Sequence, residues 1–181
     1  MGRFDKNKGI FCLLNSFSEI LTQHLNCRLV IVGYDGNIKQ ILKGCNRIWN
    51  KTTITGQLNR EELFDWYQIA DIGVIPSYSE QCSYVGIEMM MHQMPIVASD
   101  GYGVRNMFQE GENALIAAIG NRENDDEFVQ NLANRILELL EDDEKRERIA
   151  RGARKAYEER YTIDRMKEAY LQLLDNLWAE S

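Results

Sequence analysis

Along the chain, short apolar runs alternate with segments whose apolar residues recur every three or four positions. Residues 10–25 place Ile10, Phe11, Leu13, Leu14, Phe17, Ile20, Leu21 and Leu25 on one face of a predicted helix. The β-branched run from Arg28 to Val32, stopped by Gly33, predicts a strand buried on both faces. A helix carrying Ile38, Ile41 and Leu42 follows, then a short strand over Thr52–Thr55. Asn59 is placed to cap the next helix, R-E-E-L-F-D-W-Y-Q-I-A, which leads into D-I-G-V-I-P and stops at Pro76. The segment E-Q-C-S-Y-V-G-I-E, residues 80–88, enters a helix running through M-M-M-H, and Pro95–Ser99 is another apolar strand. A short helix around Val104–Gln109 and a last strand at Ala114–Ala117 complete this region. Connections too long for hairpins predict parallel strands, right-handed crossovers and helices on both faces.

After Gly120 the pattern becomes purely helical. Acidic residues open a segment with Phe128, Leu132, Ile136, Leu139 and Leu140 at helical spacing, followed by stretches over Asp143–Glu159 and Ile163–Trp178. These helices are expected to pack on the same core. The pattern therefore predicts an α/β chain: a Rossmann-like parallel sheet flanked by helices, with extra C-terminal helices. Residues 1–181 form one domain, with 1–120 as the α/β core and 121–181 as the C-terminal helices.

Composition narrows the function classes. With 181 residues and 44% hydrophobic content the chain can bury one substantial core. A formal net charge of -7 argues against a surface that tracks nucleic-acid phosphates. Cys12, Cys27, Cys45 and Cys82 form no C-x-x-C pair, and His24 and His92 are too few and too scattered to complete a zinc site. Reduced thiols and a cytoplasmic location follow as expectations. No apolar run reaches membrane-spanning length, and residues 1–8 are too polar for a signal peptide.

In an open parallel sheet, ligands sit beyond the carboxyl ends of the strands, and four turns fall there. The first is G-R-F-D-K-N-K-G, with Arg3, Lys6 and Lys8; the second is G-Y-D-G, Gly33–Gly36. The third is P-S-Y-S-E-Q-C-S-Y, Pro76–Tyr84, and the fourth S-D-G-Y-G, Ser99–Gly103. Glycines admit a ligand close to the backbone and helix starts offer N–H groups, so these turns suit phosphate. G-Y-D-G lacks the G-x-G-x-x-G spacing, which disfavours an NAD-dependent oxidoreductase. Carboxylates would repel phosphate. Glu80 and Glu88 make sense where hydroxyl donors need acceptors, as on a sugar and a ribose.

Five blocks in order carry a family resemblance: G-R-F-D-K-N-K-G, L-V-I-V-G-x-x-G, T-G-x-L-x-x-x-E-L-x-x-x-Y-x-x-A-D, P-S-x-x-E-x7-E and P-I-V-A-S-D-G. Together they resemble the carboxyl-terminal, donor-binding half of the group 1 (family 4) retaining glycosyltransferases of the two-domain B-type fold, over essentially the whole chain. The wording Q-C-S-Y-V-G-I-E-M-M-M-H is similar to a polysaccharide- or peptide-modifying branch. The resemblance implies transfer of a sugar from a nucleoside-diphosphate sugar to a hydroxyl acceptor, with retention and without a metal or other cofactor. It also implies that the partner half, an amino-terminal acceptor domain, is absent, so that the isolated chain would be inactive. In the full-length protein that half could bring the enzyme peripherally to the inner face of the membrane.

Carried over residue by residue, the resemblance aligns Arg3 and Lys8 with the basic pair on the diphosphate and Glu80 with the acid near the donor-sugar hydroxyls. Glu88 aligns with the acid that holds the ribose hydroxyls, and backbone groups near Ile54 with contacts to the base edge. Gly33, Ser83, Tyr84 and Val85 join the nucleotide-binding set through their turns. The alternative is a non-catalytic nucleotide-sugar-binding or interaction module.

Simpler roles compete with these. Ser83 is expected to be an N-cap first and a phosphate contact second. Met89–Met91 is expected to pack in the core, His24 and His92 to be structural, and Cys82 not to be a nucleophile. Two departures from the family pattern stand out: Gln81, Cys82 and Ser83 replace glycines after the first acid, and Gln93 replaces a glycine before the x-Pro.

Overall fold

The structure is a computed structural model, and it describes residues 6–33, 41, 43 and 47–179. Arg3, most of the G-Y-D-G turn, Cys45, and Ile38 and Leu42 of the predicted second helix lie outside the described residues. Among the described residues five short strands form two ladders: β1 (Leu29–Val32), β2 (Thr52–Gly56), β3 (Gly73–Ile75), β4 (Ile96–Ser99) and β5 (Leu115–Ala117). All three pairings are parallel, with Ile31 opposite Ile54, Val74 opposite Val97 and Ala98 opposite Ile116. The α-helices with fully described bounds are α1 (Ile10–Ile20), α2 (Arg60–Ile69), α3 (Tyr84–Met91), α4 (Asp126–Glu141), α5 (Asp143–Arg160) and α6 (Ile163–Ala179). The α/β architecture with parallel strands is the one that the pattern predicts.

Local chemistry accounts for the element starts. Asn59 and Glu62 form a reciprocal capping box at α2, each side chain accepting from the other's backbone N–H at 2.9 Å. Asp142 caps α5 by accepting from Lys145 N–H at 2.8 Å. One apolar layer joins α1, α4, β4 and β5 through Ile20, Val97, Leu115, Phe128 and Leu132, all at most 2% exposed. Within it the Ser16 hydroxyl donates to Val129 O at 2.9 Å, satisfying a buried polar group between the two helices. On the other face, Met89 and Met90 of α3 pack with Ala153 and Ala156 of α5. The small residues let the α5 backbone approach closely. Met89–Met91 thus serves mainly as core, with Met91 half-buried.

Three expectations need correction. The first helix ends at Ile20 rather than near residue 25, and Leu25 is 71% exposed. Beyond Ile20 the backbone tightens into turns, with Thr22 N–H and hydroxyl both bonded to Glu19 O. Val104–Gln109 shortens to a single turn over Val104–Asn106, because the Asn113 side chain takes the Gln109 N–H at 2.6 Å and leads the chain out. The C-terminal helices divide: α4 and α5 join the core, whereas α6 leaves Leu173 and Trp178 at 53% and 73% exposure.

A fourth correction concerns β1, where only Ile31 is buried rather than the whole run on both faces. The cause is a gap in the sheet. Among the described residues β1 pairs only with β2, while β3, β4 and β5 form a separate ladder. A cavity of about 620 Å³ runs between the two, lined by residues 28–32 on one wall and 72–77 on the other.

Candidate functional site

The site grows from the carboxyl end of β3, where the chain turns through Pro76 and Ser77. The opening loop leans on this turn. Tyr78 N–H donates to Asn7 O at 2.8 Å, and a Cβ at Gly9 would run into the Pro76 carbonyl. With φ of 65°, Gly9 lets the Lys6–Lys8 turn lie directly against β3's end before α1 starts.

This brings Lys8 to Glu80. Lys8 Nζ stands 3.1 Å from Glu80 Oε1, and the Ser77 hydroxyl donates to the same oxygen at 2.5 Å. Glu80's side chain is 11% exposed and Lys8's 35%. Burial alone pushes the Glu80 carboxyl up, but the Ser77 hydroxyl and the Lys8 ammonium outweigh it and hold the group below its ordinary value. The result is a fixed, charged acceptor beside a cation.

The fourth predicted turn works as the scaffold of the third. Ser99 Oγ donates to Ser77 O at 2.5 Å, Glu80 N–H to Tyr102 O at 2.9 Å, and Tyr102 N–H to Tyr78 O at 3.0 Å. Gly103, at φ of 80°, lies so close to Glu80's carbonyl that a side chain would collide with it. Sequence reasoning assigned these glycines to a ligand. Their observed partners are the residues that hold Glu80.

Ser83 is the N-cap of α3, buried and accepting from Gly86 N–H at 3.2 Å. The first-turn residues Tyr84 and Val85 follow, with the Tyr84 side chain 76% exposed and Val85 half-buried. One turn on, half-buried Glu88 accepts at Oε2 from the Tyr67 hydroxyl of α2 at 2.9 Å. Burial and then Glu88's charge push the Tyr67 phenol up, so it stays protonated and donates. Tyr67 was in the Y-x-x-A-D block but received no role from sequence; nothing in its spacing points to α3.

Gly33 closes β1 at φ of 135° and donates its N–H to Gly56 O at 2.9 Å. Ile54 of β2 packs its side chain against the cluster formed by α1 and β1 and stands opposite Ile31 in the ladder. Lys8, Glu80, Ser83 and Val85 line the cavity between β1 and β3, as does Tyr67. Gly33, Ile54, Tyr84 and Glu88 are not among its lining residues, with Glu88 one hydrogen bond behind Tyr67. Among the described residues no group of three or more His, Cys, Asp or Glu is placed to hold a metal ion. No described helix is long and apolar enough to cross a membrane.

Chemically, this arrangement offers a cation, an anchored carboxylate and a helix start on one rim. A second carboxylate stands one helical turn away. The α-D-kanosaminyltransferase of Streptomyces kanamyceticus is 27% identical over 156 residues, covering 84% of this chain and 38% of that protein. The structure of HepE from Anabaena in complex with UDP superposes with a TM-score of 0.82 at 21% identity, covering 97% of this chain and 48% of that one. The structure of the C-terminal domain of a glycosyl transferase group 1 family protein from Francisella tularensis gives a TM-score of 0.78 at 19% identity, covering 90% of this chain and 84% of that one. The chain thus spans less than half the length of the kanosaminyltransferase. The family model for glycosyl transferases group 1 matches residues 1–156, and the chain belongs to that family.

Proposed function

We propose that this chain is the donor-binding part of a glycosyltransferase that moves a sugar from a nucleoside-diphosphate sugar to a hydroxyl acceptor with retention of configuration. The observation that carries the reading is the Lys8–Glu80 pair, anchored by Ser77 at the carboxyl end of β3 beside the start of α3. As the glycosidic bond breaks, negative charge grows on the leaving diphosphate. A fixed ammonium and the first-turn amides of α3 stabilise that charge more than they stabilise the bound donor. Lys8 takes this role, with Arg3 as the second cation that the family resemblance supplies. No metal or other cofactor enters the scheme.

Glu80 accepts from the hydroxyls of the donor sugar, and Lys8 beside it bridges sugar and phosphate. Glu88 accepts from the ribose hydroxyls. Ser83, Tyr84 and Val85 present the helix start to the phosphates, and backbone near Gly33 and Ile54 meets the base. The support is the clustering of Lys8, Glu80, Ser83 and Val85 on one cavity, together with the UDP complex of the Anabaena neighbour. A second half that holds the acceptor completes the enzyme, and this chain alone turns over little.

The test is a titration of the chain with UDP, GDP, ADP and NAD followed by amide shifts. Saturable shifts at Lys8, Glu80 and Ser83 with a nucleoside diphosphate, abolished in Glu88→Ala, are the expected result. Binding of NAD alone would overturn the reading. The alternative reading is a non-catalytic nucleotide-sugar-binding or interaction module. Donor consumption by a polypeptide carrying both halves, lost in Glu80→Gln, separates the two.

A further inference from the structure

We propose that Tyr67 is a positioning residue for nucleotide recognition, holding the Glu88 carboxylate so that it distinguishes a ribose from its deoxy forms. The inference rests on the reading of Glu88 as the ribose acceptor and adds the group that makes it selective. Glutamate is among the side chains with the most rotamer freedom, and a carboxylate that swings away from its ligand gives up much of its hydrogen bond. Tyr67 removes that freedom. Its hydroxyl lies 2.9 Å from Glu88 Oε2, while among the described residues Oε1 has no hydrogen-bond partner. One oxygen is held by Tyr67, which itself lines the cavity, and the other carries no hydrogen bond among the described residues.

The clamp itself is rigid. Tyr67 is 6% exposed, and its ring is flanked by Phe64 at 6.4 Å and His92 at 5.2 Å between centroids. A phenol has only two side-chain torsions, and here both are set by packing. Because the phenol donates and the carboxyl oxygen accepts, Tyr67 fixes the position of that oxygen. A buried tyrosine also needs some partner for its hydroxyl, so the bond could serve stability alone. The two roles differ in what they do to ligand choice.

The experiment measures affinities of UDP, GDP and ADP, each against its 2′,3′-dideoxy analogue, for the wild-type chain, Tyr67→Phe and Glu88→Gln, with thermal melts of all three. The nucleotide bound most tightly is carried to the variants. The wild type is expected to prefer the ribose form by about tenfold or more, as for a hydrogen bond to a charged group. Glu88→Gln should erase most of that preference. Tyr67→Phe should lower affinity for the ribose form several-fold and leave the dideoxy form unchanged. If the wild type shows no preference, the reading of Glu88 falls and the inference with it. If the wild type discriminates and Tyr67→Phe keeps the full ratio, or weakens both forms equally, Tyr67 is structural and only the inference is overturned.

Discussion

Lys8 and Glu80 meet at 3.1 Å across two loops that are remote in sequence, and the same Glu80 oxygen receives the Ser77 hydroxyl. The pair makes stability depend on acid. Glu80 titrates below its ordinary 4.5 because Ser77 and Lys8 outweigh the opposing effect of burial. A group depressed in the folded state contributes stability that is present above its unfolded value and is lost as pH falls through the folded one. Glu80→Gln should therefore cost stability near pH 7, with the gap from wild type narrowing below about pH 4.5 in urea unfolding at a series of pH values. A constant gap from pH 7 to pH 3 would contradict the ion-pair account.

His92 gives the opposite end of the acid range. Its ring packs on Phe64 at 4.6 Å, and its Nε2 is buried without a hydrogen-bond partner. Burial, with help from Arg154, lowers its pKa from the ordinary 6.5 despite the opposing charge of Glu88. The neutral ring is the folded form, so stability is complete above 6.5 and declines as pH falls below it, where the unfolded chain binds the proton first. His92→Phe should flatten that decline between about pH 6.5 and 5 and change stability at pH 8 by less than about 1 kcal/mol.

Gln93 ends α3 in the left-handed region at φ of 55°. Met94 N–H bonds to Met89 O at 3.0 Å and Gln93 N–H to Met90 O at 3.1 Å, the double closure in which glycine is the usual residue. Gln93→Gly relieves left-handed strain worth about 1–2 kcal/mol and gives back part of it as unfolded-chain entropy of about 0.5–1 kcal/mol. A net gain of roughly 0.5–1 kcal/mol in chemical denaturation is expected.

Gly103→Ala should act in the other direction. The new methyl meets the Glu80 carbonyl at a backbone angle that side chains rarely adopt. A loss on the order of 2 kcal/mol is expected in thermal unfolding. Nucleotide affinity should fall as well, because the carbonyl that must shift belongs to the site's own acid.

The exposed face of α6 predicts an absence of effect. Leu173→Ser and Trp178→Ser replace side chains that are 53% and 73% exposed, so each should change unfolding free energy by less than about 0.5 kcal/mol. A loss of several kcal/mol in calorimetry would mean that α6 packs on the body after all.

These contrasts show what a sequence can carry. Asn59, Ser83 and the apolar stripe of α4 were legible because a cap or a stripe is set within a few neighbouring residues. Lys8 and Glu80 were singled out one by one, through the resemblance, but their pairing through Ser77 was not foreseen, since it depends on how two distant loops stack. Gly101 and Gly103 signalled close approach, which the sequence pattern gave to a ligand; the atoms that approach are the protein's own Ser77, Tyr78 and Glu80 carbonyls. Periodicity in α6 announced an apolar face without saying what covers it. The partial exposure of β1 goes with the lack of a second neighbour among the described residues, which no pattern within β1 encodes.

That missing neighbour has a consequence for handling the molecule. Leu29–Val32 and Gly73–Ile75 both line a space of about 620 Å³, and among the described residues each strand has a ladder partner on one side only. Open strand borders of this kind recruit extended polypeptide from other molecules. Concentrated preparations should accordingly thicken into fibrils or soluble clusters with a growing β signature, and short apolar peptides added in excess should slow that growth by occupying the borders first.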